Sequence, residues 1–225
     1  MALELSPCVG LVTPDPGAAA AFLCDFLEME MAGAEAGIEL AAGPLRFFLD
    51  PGQPRPLVFE LATDDHQQAR HMIKGFGFEE LVWRGPGQSC LARDPFGLVF
   101  NIHQDQPGLE PIELDDLEPT LVKPCVGARL PDPRQAAEFY SQALDSPASR
   151  LPDGSYIVDS GPVRLRFKFG VGTTPMVWLR SDAPVKRLLM NGCRRVDGGA
   201  VADPYGIHWC VEAAAEARTA VVCPL

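Results

Sequence analysis

The sequence is short of positive charge and of cysteine pairs, and each shortage removes a class of function. Lys and Arg number 19 against 30 Asp and Glu, for a formal net charge of -11. Binding phosphates needs clustered Lys and Arg, and so does an anionic membrane surface, so neither nucleic acid nor membrane is expected as a partner. No apolar run approaches the ~18 residues of a spanning helix. No basic-then-apolar segment precedes Pro7, so no signal peptide is expected, and Cys223 stands too near the last residue for a prenylation box. The seven cysteines (Cys8, Cys24, Cys90, Cys125, Cys193, Cys210, Cys223) are odd in number and include no CxxC. That pattern suits reduced thiols and a cytoplasmic location. HExxH, a P-loop, a GxGxxG after a strand and a Ser-His-Asp order are all missing. Hydrophobic content of 47% nonetheless suffices for a packed core.

What the chain does have is a duplication. Pro7–Leu27, PCVGLVTPDPGAAAAFLCDFL, returns as Pro124–Leu144, PCVGARLPDPRQAAEFYSQAL. Pro, Cys, Val, Gly, Pro, Asp, Pro, Ala, Ala, Phe and Leu recur at constant spacing, the mark of an internal repeat. In the first copy Val9, Leu11 and Thr13 alternate as in a strand, Asp15 is placed to cap a helix, and Pro16 opens it. Ala19, Phe22, Leu23, Phe26 and Leu27 then share one helical face. Strands are expected at 38–42 and 45–50. A second unit runs strand 57–62, a helix capped around Asp64-Asp65, a hairpin, the turn Asp94-Pro95-Phe96-Gly97, and strand 98–103. The second half repeats this order, with Asp203-Pro204-Tyr205-Gly206 matching the turn and a shorter hairpin before it. The expected division is a first domain at 1–104, an acidic solvated linker at 105–120, a second domain at 121–215 and a tail at 216–225.

Two copies of both motifs, in this order, resemble the vicinal oxygen chelate superfamily, which includes glyoxalase I, bleomycin-resistance proteins, fosfomycin-resistance enzymes and extradiol dioxygenases. The residues that carry the resemblance are the strand-Asp-helix pattern Val9–Leu27 and Val126–Leu144 and the two Asp-Pro-aromatic-Gly turns. The resemblance implies an α+β fold of tandem βαβββ units, forming two homologous glyoxalase-like domains with curved mixed sheets and outer helices. It also implies a pocket on the inner face of each sheet, where the family's metal enzymes hold a divalent ion with His and Glu.

Strand alternation assigns the inner faces. The first half sends in Cys8, Gly10, Val12; Arg46, Phe48, Asp50; Val58, Glu60, Ala62; and Val99, Asn101, His103. The second sends in Cys125, Gly127, Arg129; Arg164, Arg166, Lys168; Met176, Trp178, Arg180; and His208, Cys210, Glu212. By the resemblance, the ligand positions fall on Cys8, Phe48, Val58 and Asn101, and on Cys125, Arg166, Met176 and Cys210. Neither set carries the His and Glu that hard divalent ions favour, so no cofactor is expected. One pairing of the halves gathers Cys8, Met176 and Cys210, a soft set for a thiophilic ion, or else simple pocket fillers. The other joins Cys125, Arg129 and Arg166 with Asn101 and His103. Arg129 matches a substrate-binding Arg of glyoxalase I, and two inward forks suit a carboxylate or phosphate. The alternative is that these arginines pair internally with Glu60, Asp50 or Glu212. His208 and His103 are candidate general bases or hydrogen-bonded structural groups, and His66 and His71 read as surface residues. Trp178 and Phe48 can floor a pocket or fill the core.

The sequence therefore predicts binding of a small anionic or aromatic molecule by Arg129, Arg166, Trp178, His208 and Cys210, in a monomer or homodimer. Its alternatives are a superfamily lyase, isomerase or dioxygenase using an unusual divalent or thiophilic metal ion, and a degenerate duplicate with a structural or regulatory role.

Overall fold

The computed structural model describes residues 3–33, 37–104, 125–160, 163–180, 185–196, 199–212 and 223–224. The acidic linker and most of the tail lie outside the described residues.

The first half runs β1 (Glu4–Thr13), α1 (Pro16–Leu27), β2 (Glu30–Gly33), β3 (Ile38–Ala42), β4 (Leu45–Pro51), β5 (Val58–Thr63), α2 (His66–Gly75), β6 (Glu79–Trp83), β7 (Cys90–Arg93) and β8 (Val99–Gln104). Its strands form one sheet in the order β2-β3-β4-β1-β5-β8-β7-β6. The second half runs β9 (Cys125–Leu130), α3 (Pro133–Ala143), β10 (Ala148–Arg150), β11 (Tyr156–Ser160), β12 (Val163–Phe169), β13 (Thr174–Arg180), α4 (Val185–Met190), β14 (Arg194–Arg195), β15 (Val201–Ala202), β16 (His208–Glu212) and β17 (Cys223–Pro224). These strands make a second sheet, β14-β15-β16-β13-β9-β12-β11-β10-β17. The expected α+β fold of tandem βαβββ units is what the structure has. Each sheet draws its strands from one half only. The two-residue β17, from the segment expected to be a tail, adds an edge to the second sheet.

The local chemistry follows the repeat. Asp15 and Asp132 each accept an amide bond three residues on, from Ala18 N and Gln135 N at 2.9 Å, with a proline at the helix start. Phe47, Phe59, Phe100, Val177 and Trp209 are all fully buried on the helix-covered faces. Those faces meet each other. Phe47 packs on Trp209, Phe22 on Tyr205, and Tyr140 of α3 lies between Phe100 and Phe167. One apolar core thus serves both halves, and the other face of each sheet looks away from it.

The two Asp-Pro-aromatic-Gly turns are fastened alike and then diverge. Asp94 Oδ1 accepts from Phe96 N and Leu98 N, and Asp203 Oδ1 from Tyr205 N and Ile207 N. The second oxygen of Asp94 accepts from the hydroxyl of Tyr140, a residue of the other half. That of Asp203 accepts locally, from Trp209 Nε1 at 2.8 Å. The repeat explains the difference. The residue matching Tyr140 is Leu23, which has no donor to offer, and the residue matching Trp209 is Phe100.

Candidate functional site

Two outward faces stand open to chemistry, one on each sheet. On the second, Trp178 of β13 is flanked in register by Cys125 of β9 and Cys210 of β16, and Met176 by Gly127 and His208. This face is not an empty trough. Cys125, Met176, Trp178 and Ala200 form a small buried cluster of their own, with Val196 and Cys210 packed against it. Val196 and Ala200 come from the β14–β15 hairpin, where Val196 N donates to Ala200 O at 3.0 Å. Val196 and Ala200 of the hairpin that is short in sequence thus pack against the cluster that holds the indole.

Arg166 lies against this cluster, 7% exposed, with its guanidinium carbon 5.3 Å from the Trp178 ring centre. It donates from Nε to Ser155 Oγ at 3.1 Å and from Nη2 to Asp153 Oδ2 at 3.1 Å, and Lys168 reaches the same carboxylate at 3.2 Å. Burial opposes ionisation of Asp153. The Ser155 hydrogen bonds, Arg166 and Lys168 outweigh it and hold the carboxyl well below the usual range. Arg166 thus makes an internal ion pair with Asp153 of the Leu151–Ser155 turn. Arg129 Nε approaches Phe169 O at 3.5 Å.

Among the described residues two polar atoms here have no partner. Trp178 Nε1, on a residue 3% exposed, and Nδ1 of half-buried His208 are both enclosed without a hydrogen bond. Burial, and then the charges of Arg194 and Arg129, keep the His208 pKa below its ordinary value and so favour the neutral imidazole. An enclosed donor without an acceptor costs about 1–3 kcal/mol, and a ligand oxygen would relieve that cost.

The first sheet carries a different set. Cys8, Glu60 and Asn101 lie side by side across β1, β5 and β8, beside half-buried Val12, Val58 and His103, with Phe48 at 40% exposure. Glu60 accepts from Ser6 Oγ at 2.9 Å and Asn101 Nδ2 at 3.0 Å. Burial and then the Glu60 charge push the Cys8 thiol up to about 12.

Several sequence expectations change. Because the two outer faces point apart, Cys8 does not join Met176 and Cys210. Nor do Asn101 and His103 join Arg129 and Arg166. The residue beside Cys8 and Asn101 is Glu60, not Val58, and on the second sheet Trp178, not Met176, stands between the two cysteines. His66 is no surface residue. It is 2% exposed, and its ring lies 4.4 Å from that of Trp83, because the first turn of α2 drops it onto β6. Sequence reasoning missed Ser6, Asp153 and Ser155. Pro7 inside a strand was a usable signal for the first, since proline there marks a bulge or an edge.

No family model matches the sequence, and no curated protein does. Solved structures do match. The Mn(II)-bound glyoxalase from Novosphingobium aromaticivorans is 19% identical, with 96% of this chain and 83% of that one covered at a TM-score of 0.60. BphC, a halotolerant catechol dioxygenase, is 12% identical over 99% and 89% of the two chains at 0.57. A mutant of 4-hydroxymandelate synthase from Streptomyces coelicolor is 14% identical over 95% and 93% at 0.58. The chain has the vicinal oxygen chelate fold.

The Mn(II)-bound neighbour corrects the expectation that no cofactor is involved, because the fold itself accommodates a metal ion. The donors described in this chain do not make such a centre. Among the described residues no group of three or more His, Cys, Asp and Glu gathers to hold an ion. On the first sheet the Cys8 thiol stays protonated and the Glu60 oxygens are engaged by Ser6 and Asn101; on the second the central position is an indole. No step is therefore routed through a metal. Among the described residues, no helix is long and apolar enough to cross a membrane.

Proposed function

We propose that the outer face of the second sheet binds a small organic anion with a flat, apolar body. What supports this reading is the pair of enclosed nitrogens, Trp178 Nε1 and His208 Nδ1, with the Arg166 guanidinium against the indole. A carboxylate or phenolate oxygen accepts from both, and its ring covers the cluster of Cys125, Met176 and Cys210. Binding lifts Val196 and Ala200 from the indole. The proposed division into domains 1–104 and 121–215 puts this site in the second domain.

A second reading is that the same face carries out a reaction. The solved neighbours favour it, being glyoxalase, dioxygenase and synthase enzymes. The neutral His208 favours it as well, since an imidazole held below its ordinary pKa can accept a substrate proton.

A thermal-shift series tests the first reading. Phenylacetate, benzoate and phosphate are compared with benzyl alcohol, with and without a panel of divalent ions. An aromatic anion should raise the melting temperature by several degrees. Trp178→Phe, which keeps the ring but removes the N–H, should abolish the shift. A shift that survives Trp178→Phe, or that benzyl alcohol reproduces, refutes the reading. Turnover of the bound compound selects the second reading.

A further inference from the structure

The first sheet's outer face carries an unbalanced charge that the anion site does not use. β1 and β5 pair Leu5 with Leu61, then slip and resume at Val9 with Phe59. Ser6, Pro7 and Cys8 therefore oppose the single residue Glu60. Such bulges re-aim side chains and concentrate near functional sites, and here the bulge turns Ser6 onto the carboxylate. Its two oxygens accept from Ser6 Oγ and Asn101 Nδ2, and Asn101 is itself fixed by Cys90 N donating to its Oδ1 at 3.2 Å. Every one of these donors is neutral. No cation among the described residues pairs with Glu60. Arg46, in register with Cys8 on this face, is engaged with Glu39 at 3.6 Å and Gly43 O at 2.8 Å. Glu60 is thus a half-buried carboxylate with no counter-ion among the described residues.

The surroundings suit an organic cation. Gly10 leaves the floor bare between Phe48 and Val58, its partners in register, and a Cβ there would meet Val58 Cβ at 3.4 Å. Val12, Val58 and Val99 are half-buried on the same face, and Phe48 is exposed beyond the gap. We infer that the first sheet's outer face is a second, separate site, which takes a small primary ammonium compound with an apolar body. The ammonium sits on Glu60, and its apolar part lies over Gly10 toward Phe48. The proposal does not depend on the anion site.

Calorimetric titration with benzylammonium tests it, with benzyl alcohol as the neutral counterpart. The wild type should bind benzylammonium at least tenfold more tightly than the alcohol, and the preference should weaken with added salt. Glu60→Gln should remove that preference, and Gly10→Ala, which fills the floor, should weaken binding with the fold intact by circular dichroism. Trp178→Phe should leave benzylammonium affinity unchanged, which separates this site from the anion site. Equal affinity for amine and alcohol, full retention in both Glu60→Gln and Gly10→Ala, or loss in Trp178→Phe would overturn the inference.

Discussion

Tyr140→Phe isolates one buried polar contact between the two halves of the molecule. The hydroxyl is fully buried and donates to Asp94 Oδ2, while Oδ1 is held by the amides of its own turn. Removing it leaves the ring packing on Phe100 and Phe167 in place and strips a buried carboxylate oxygen of its one side-chain donor among the described residues. A hydrogen bond to an ionised group in such a setting contributes about 2–3 kcal/mol. In a chain of this size each kcal/mol moves the melting temperature by about 2–4 °C, so the fall should be roughly 4–12 °C near neutral pH. The pH dependence is diagnostic. Burial already raises the Asp94 pKa despite its hydrogen bonds, and losing the hydroxyl raises it further. The folded variant then takes up a proton at a higher pH than the unfolded chain. The penalty is complete above the folded pKa and shrinks as pH falls through it toward the unfolded value. Differential scanning calorimetry at neutral and mildly acidic pH measures both effects. A fall of less than about 2 °C, or one that does not shrink in acid, would refute the reasoning.

The repeated glycines make a sharp pair. Gly127 has φ +153°, and a Cβ there would sit 2.1 Å from Arg166 O, so Gly127→Ala should cost more than about 4 kcal/mol or prevent folding. Gly10→Ala meets only ordinary contact and should cost about 1 kcal/mol or less, both read by urea denaturation. Because His208 has a lowered pKa, its contribution to stability should be complete above the unfolded value of 6.5 and be lost as pH falls from there through the folded pKa, a slope that His208→Gln removes. A bound anion reverses that shift, so anion affinity in the wild type should tighten as pH falls through the same range. Asp153→Asn takes one carboxylate from both buried Arg166 and Lys168 and should destabilise by about 1–3 kcal/mol, read by the same denaturation assay.

Strand alternation and the repeat made the fold legible. Leu45, Phe47 and Leu49 alternate with Arg46, Phe48 and Asp50, and the structure buries the first set and exposes or half-buries the second. The caps at Asp15, Asp65 and Asp132 were equally readable, because a single side chain decides each. The site was harder to read. Spacing put Val58 beside Cys8, but the Ser6–Cys8 bulge, a tertiary adjustment, puts Glu60 there. Arg166 finds Asp153 across a turn 13 residues away, in a stretch with no motif. Trp178 was read as facing the pocket, which it does, but no pattern foretold that Val196 and Ala200 would cover it. The hairpin was visibly short; where Val196 and Ala200 would pack was a tertiary matter.

The most direct test of the account observes the Trp178 N–H itself. The chain has three tryptophans, so a nitrogen-15 spectrum shows three indole signals, and Trp178→Phe identifies the one in question. On titration with phenylacetate the Trp178 signal should move as its N–H gains an acceptor, while that of Trp209, already bonded to Asp203, stays in place. A Trp178 signal that remains still through saturating concentrations of phenylacetate, benzoate and phosphate would contradict the claim that this face binds an anion.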